Sequence, residues 1–426
     1  MKSRDMIAPS SPYGSPSFML AAKGLVALHR LIKDGKDDSP EAESIRDALD
    51  APLNALNAAE KERAQWLSED LYSVSEPPAG PTKEMNPQAQ RYLNEAIEAR
   101  QRREWDLALA LLRRWREYIS PALLSYLRGL VWREAGFPEV AAEFYGHAAQ
   151  CEPENANYRA IYLRVLAESN LSAAARLAAE VLADDEKHAP SVVAQAAAIC
   201  YEAKAASDAE STQLCRKLIP ILERNMTRIE NDSSEIPSSV HTMTAELLGF
   251  CHEFLGNSGA AIDVYSRGLQ VNPDNANLLI SRAILLYGAS PRAITDLERA
   301  ANLDSPIVWP YLFLAHHYLI TNRFDQCRLM CEMGLKMRGS DAAKSRLEEW
   351  RAIAQAQLGF SAEAVRAAFE AAIRLNASNE QARRNLAAFE ASLKAPGAAH
   401  RATWQHKPEA AIRQFGLAER RYSMAS

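Results

Sequence analysis

Residues 122–155 read ALLSYLRGLVWREAGFPEVAAEFYGHAAQCEPEN, and residues 242–275 read TMTAELLGFCHEFLGNSGAAIDVYSRGLQVNPDN. The two stretches align without a gap. Gly129 falls on Gly249, Gly136 on Gly256, Ala141 on Ala261, Tyr145 on Tyr265, Pro153 on Pro273 and Asn155 on Asn275. A period of roughly 34 residues marks a repeat of two helices joined by a turn. One such unit cannot bury its apolar stripe alone, so units stack and the core grows along the array.

Working outward, the same pattern continues in weaker form on both sides. A degenerate unit from Ala89 to Pro121 keeps Trp105, Ala108, Leu112 and Trp115 in order. A unit from Ala156 has lost its glycines but keeps small residues such as Ala175. Long helices are expected from Pro190 to about Ile229, then a polar break at Asn231 to Ser239. Further units start at Ala276, Val308 and Arg346, the first of them shortened around Gly288-Ala289-Ser290-Pro291. The polar-faced helix Glu380 to Lys394 would cap the stack, as terminal repeats require.

The ends differ in character. Residues 1–16, with Pro9, Pro12, Gly14 and Pro16, read as a flexible leader. Residues 17–75 read as three short helices. The first has Leu20, Leu25, Leu28 and Ile32 at helical spacing. The second opens at Ser39-Pro40-Glu41 with a cap and a proline at the first position. The third, Glu60 to Leu71, has Trp66 as its anchor. SPEAESIRDALDAPLNAL and ERAQWLSEDLYSVSEP in this segment resemble a segment of uncharacterised bacterial proteins. Residues 76–87 carry Pro77, Pro78, Gly80, Pro81 and Pro87, which suits a stiff linker. The array would occupy residues 88–394. Residues 395–426 read as a disordered basic tail: Arg401, Lys407, Arg413, Arg420 and Arg421 against Glu409 and Glu419 leave a balance of +3, five minus two.

LRGLVWREAGFPEVAAEFYGHAAQCEPENA and LLGFCHEFLGNSGAAIDVYSRGLQVNPDNA resemble the tetratricopeptide repeat (TPR). That resemblance implies an all-α, TPR-type right-handed superhelical solenoid with a small helical N-terminal segment. It also implies packing roles. Gly129 and Gly249 let the first helix approach the second, and Gly136 and Gly256 supply the left-handed turn. Ala141 and Ala261 would sit at the closest helix contact, and Tyr145 and Tyr265 between neighbouring units. The family chiefly binds other proteins in a concave groove lined by the first helix of each unit. Carried onto this chain, the groove would present Tyr126, Leu130 and Arg133, then Glu246, Phe250 and Glu253, then Ile280, Ile284 and Tyr287, then Trp309, Leu312, Phe313 and His316. This row is unusually apolar, and exposed apolar patches of that kind mark partner surfaces. The competing arrangement is a row buried under the N-terminal helices or the fold itself. Some members clamp acidic chaperone tails with Lys and Asn; the matching positions here hold Phe250, Ile284 and His316, which argues against that use.

The chain has 426 residues, is 48% hydrophobic, and carries a net charge of -5 with a pI near 6.1. That balance argues against nucleic acid, whose affinity rests on neutralising phosphates. The six cysteines form no C-x-x-C and no zinc-finger spacing, and scattered thiols suit a reducing compartment. No stretch approaches the ~20 apolar residues a membrane span needs, and no signal peptide is read. The expectation is a cytoplasmic protein without membrane contact.

Candidate chemistry is thin. Cys327 and Cys331 share a helix face, with His316 and His317 nearby in sequence, yet both fall where the repeat wants small packing residues. Cys251-His252-Glu253 resembles half of H-E-x-x-H, but the second histidine position is Gly256. No phosphate-cradling glycine loop is present. Glu348-Glu349 and Asp37-Asp38 read as solvated acids. No cofactor, metal or catalytic residue is expected. The function expected is a non-enzymatic scaffold holding a protein or peptide partner in the groove, with self-association possible. The alternative is a regulatory or accessory subunit docking on an enzyme through the N-terminal helices.

Overall fold

The computed structural model describes residues 13–74, 81, 83–204, 207–231, 236–394, 404 and 409–425, with the backbone alone at 204 and 418–425. Most of the leader (1–12), most of the linker (75–80 and 82) and much of the tail (395–403, 405–408 and 426) lie outside the described residues. So does the centre of the polar break, 232–235. Among the described residues the chain is all α-helix, with two short 3₁₀ turns, Arg116–Tyr118 and Asp185–Lys187, and a single isolated bridge between Ile307 and Arg338. It divides into two compact units, Met1–Ala203 and Lys204–Ser426.

The first unit opens with α1 (Pro16–Lys33), α2 (Pro40–Asn54) and α3 (Ala58–Ser73). Three hairpins follow: α4 (Pro87–Gln101) with α5 (Trp105–Arg114), α6 (Pro121–Glu134) with α7 (Pro138–Cys151), and α8 (Ala156–Ser169) with α9 (Leu171–Ala183). α10 (Pro190–Lys204) closes the unit. Short polar side chains start the helices: Ser15, Ser39, Asn86, Ser120 and Asn155 each accept a backbone N–H of the first turn. Asn57 and Glu60 form a reciprocal capping box. Each such cap contributes about 1 kcal/mol.

The N-terminal helices are not a separate body. One apolar cluster runs from Phe18 and Leu67 through Trp132 and Tyr145 to Cys200. α1 touches α7. Buried Asp70 on α3 receives Arg128 of α6 at 3.0 Å and Arg113 of α5 at 3.0 Å. The expected apolar face of α1 is rotated. Phe18, Ala21, Ala22, Val26 and His29 are buried, whereas Leu20 is 60% exposed and Leu25, Leu28 and Ile32 are half-buried. Small residues decide this: Gly24 lets the side chain of Leu49 approach α1 more closely than any Cβ would allow. On α3 it is Leu67, not Trp66, that is fully buried; Trp66 lies half-buried beneath the Arg113 guanidinium.

The second unit holds α11 (Asp208–Asn231) and four hairpins. These are α12 (Ser238–Phe254) with α13 (Ser258–Val271), α14 (Ala276–Leu286) with α15 (Arg292–Asn302), α16 (Trp309–Ile320) with α17 (Phe324–Gly334), and α18 (Asp341–Gln357) with α19 (Ala362–Leu375). α20 (Glu380–Lys394) packs on α18 and α19. The first helices touch one another in series, α12 on α14, α14 on α16, α16 on α18 and α18 on α20. They form one continuous layer, the first-helix face.

Several hairpin turns share one design, although the α8–α9 turn at Asn170 (φ -153°) does not. Gly136 and Gly256 take φ of +96° and +81°. The next residue's N–H reaches back five residues, Phe137 to Trp132 at 2.9 Å and Asn257 to His252 at 2.8 Å. This is the Schellman close. Where the repeat is degenerate the geometry survives: Asn322 (φ +57°) precedes the Arg323 to Tyr318 bond, and Arg103 (φ +63°) the Glu104 to Ala99 bond. The two tyrosines pack on the helical glycines of the repeat. The Tyr145 ring lies on Gly129 of its own hairpin, where a Cβ would come within 2.9 Å. Tyr265 does the same on Gly249. The ring needs the hollow that only glycine leaves.

The tail is not structureless throughout. Trp404 stacks near Phe369 and Phe389, and a further helix, α21, spans Glu409–Ala425. This corrects the expectation of a disordered segment over those residues.

Candidate partner-binding face

The expected groove residues fall into two sets, one in each unit. In the first unit Tyr126, Leu130 and Arg133 lie along α6 and are half-buried. The Tyr126 ring packs 5.8 Å from Tyr145 and 5.2 Å from Tyr158. Arg133 is engaged by Glu168, with Nε 3.1 Å from a carboxylate oxygen, and that bond holds its pKa above the usual arginine value.

The second set is mostly inside the protein. Phe250, Glu253, Ile280, Ile284, Tyr287, Trp309, Leu312, Phe313 and His316 are all buried, and only Glu246 is half-buried. The row is joined up rather than loose. Tyr287 meets Phe313 edge to face at 4.8 Å. The Tyr287 hydroxyl lies 2.8 Å from His316 Nδ1 and 3.3 Å from the Phe313 carbonyl. His316 packs against Trp350 at 5.2 Å. Burial pushes the Tyr287 phenol far above its ordinary pKa, so it stays a neutral donor. The two groove acids are also occupied. Asn275 donates to Glu246 at 3.0 Å, and Tyr265 donates to Glu253 at 3.1 Å.

A helix of the same chain supplies the cover. α21 lies on α14. Phe415 packs against Trp309 at 6.4 Å, and Arg346 of α18 sits 5.7 Å above the Phe415 ring. Ile412 is fully buried. Gly416 meets the face backbone-first: a Cβ there would lie 2.6 Å from Phe313 and 3.7 Å from Ile284. At the start of α21, Glu409 sits against Gly288, the turn between α14 and α15. It also helps to line a small cleft of about 260 Å³ with His317 and Pro291. Burial lowers the His317 pKa, and Glu409 opposes that shift.

The expected groove row of the second unit is buried, and the segment seated on part of it was not anticipated from the sequence. The signal was present. Pro408 and Glu409 are the residues expected at a helix start, and Ile412 and Phe415 stand three apart, one helical turn.

The residues weighed for chemistry are packed as core. Cys327 and Cys331 are fully buried, and burial raises the Cys331 thiol well above its normal pKa. The Cys251 thiol is raised too, first by its hydrogen bond with Cys215 and then by burial. Thiols held protonated in this way are poor nucleophiles. Glu349, read as a solvated acid, is buried and accepts from Asn379 at 3.1 Å and Asn385 at 3.0 Å, which ties α18 to α20. Glu348 is buried as well, and burial raises its pKa against the pull of Arg351. Among the described residues no group of three or more His, Cys, Asp or Glu could hold a metal ion, and no helix is long and apolar enough to cross a membrane.

No family model and no curated protein matches the sequence. Solved structures do match at low identity. A PilF protein of Pseudomonas aeruginosa aligns at 15% identity over 58% of this chain and 90% of its own, with a TM-score of 0.35. A tetratricopeptide repeat protein from Parabacteroides merdae aligns at 13% over 68% of this chain and 100% of its own, with a TM-score of 0.39. Yeast Tom70 aligns at 12% over 79% and 75%, with a TM-score of 0.30. At these scores the alignments carry no functional argument.

Proposed function

We propose that the protein is a non-enzymatic interaction scaffold whose first-helix face in the second unit receives a helical segment of a partner protein. One observation carries this reading: the chain's own α21 is seated there, with Phe415 against Trp309 and Gly416 against Phe313. A face that accepts one amphipathic helix is suited to another, and a helix laid into an apolar groove is a recurring mode of recognition. The N-terminal helices are the weaker docking surface, because Phe18, Val26, Leu67 and Leu71 are already used inside the first unit.

Site-specific photo-crosslinking tests the reading. A crosslinker at Leu312 of the full chain is expected to capture a partner through a helical segment, and Trp309→Ala should cut that yield at least about tenfold, the loss expected from one buried aromatic anchor. Partners recovered equally from both chains, or captured only by crosslinkers on α1–α3, would overturn it.

A further inference from the structure

Resting on that reading, we infer that α21 is an in-cis occupant that gates the face, and that its own register states what the partner carries. Among the described side chains of α21, Phe415 and Gly416 meet the face, Glu409 meets the Gly288 turn, and Ile412 is buried one turn before Phe415. They spell E-x-x-I-x-x-F-G on one side of the helix. Each position has a physical requirement. The aromatic at 415 is held between Trp309 and the Arg346 cation. The residue at 416 favours the absence of a Cβ, because one there would lie 2.6 Å from the ring of fully buried Phe313, which would have to shift. The aliphatic at 412 is buried completely. The acid at 409 sits where the α14–α15 turn and His317 line a cleft. The partner is therefore an amphipathic helix with an aromatic followed by glycine, and an aliphatic one turn earlier. An extended peptide would not reproduce this register.

Tethering explains the gate. Between Lys394 and Glu409 the chain runs only 14 residues, with Trp404 stacked near Phe369 and Phe389. A short tether presents its ligand at an effective concentration on the order of millimolar. A partner helix must displace α21, so its apparent affinity falls by the fraction of chains with an open face.

The test uses the full chain and a fluorescein-labelled peptide of residues 407–425. Gly416→Leu in the chain should lift α21, because its side chain would enter Phe313. Phe415→Ala is the milder second variant, should the first disturb folding. The peptide is expected to bind either variant at least about tenfold more tightly than it binds the wild-type chain, the factor a millimolar tether gives over a ligand of about 100 μM. A peptide carrying Phe415→Ala, or a Gly416→Leu chain that also carries Phe313→Ala, should lose that binding. Equal affinity for wild-type and variant chains would overturn the gate. So would light scattering that finds wild-type dimers exchanging α21 between copies. Success here alongside a failed crosslinking experiment would leave α21 a displaceable occupant of its own chain's face and reject the scaffold reading alone, so the two failures are distinct.

Discussion

At the residue scale, missing atoms matter as much as present ones. Gly129 and Gly249 each leave room for a tyrosine ring of the same hairpin. The Tyr265 hydroxyl is then fixed by buried Glu253. Gly249→Ala forces a methyl into that ring and should cost about 1–3 kcal/mol, the range for overpacking a filled core. Urea denaturation gives the value; a cost within a few tenths would show that the ring can step aside. Histidines give the same scale a pH dependence. Burial lowers the His147 pKa below its ordinary 6.5, and Lys33 and Arg128 push the same way. His29 is lowered by burial as well, against the pull of Glu143. Just below pH 6.5 the unfolded chain therefore binds more protons than the folded one. Stability is whole above about 6.5 and is lost as pH falls from there toward the lowered folded values. Thermal melts should give a lower midpoint at pH 5.5 than at pH 7.5, with a smaller gap in His147→Gln. A midpoint that rises on acidification would contradict the assignment.

At the element scale, helices are joined by a few buried polar ties set in apolar packing. Arg282 of α14 and Asp296 of α15 pair through two bonds of 2.8 Å, both side chains buried. Asp70 ties α3 to α5 and α6. Asp70→Ala leaves Arg128 buried with its charge uncompensated. The expected loss is about 3–5 kcal/mol, with faster hydrogen exchange in α1–α3 and unchanged exchange in α18–α20. Uniform loosening of both regions would deny that the tie is local. The hairpins themselves were legible in the sequence, because Gly136, Gly256, the prolines and the Asn and Ser caps act through their own backbone geometry. The phase of α1 was not. Leu20, Leu25 and Leu28 fit a helical stripe as well as Phe18, Ala22 and Val26 do, and only the approach of Leu49 at Gly24 decides between them. α21 was hidden for a related reason. Its arginines dominate a count of charges, while Ile412 and Phe415 are two apolar residues whose value depends on the Trp309 and Phe313 they meet.

At the scale of the whole molecule, a stack of hairpins has a continuous apolar layer along its first helices, and something must cover it. Ile284, Trp309 and Phe313, expected from the sequence to line a groove, are buried in that layer. Spacing shows which side of a helix is apolar and says nothing about what lies on it. Here the cover is the chain's own last helix, which makes the proposed partner site an occupied one. Hydrogen–deuterium exchange on the full chain, comparing wild type with Gly416→Leu, tests this most directly. Exchange should rise sharply in Glu409–Ala425 and along the exposed side of α14 and α16, while α13, α15 and α17 keep their protection. Unchanged protection of Glu409–Ala425 in the variant would contradict it.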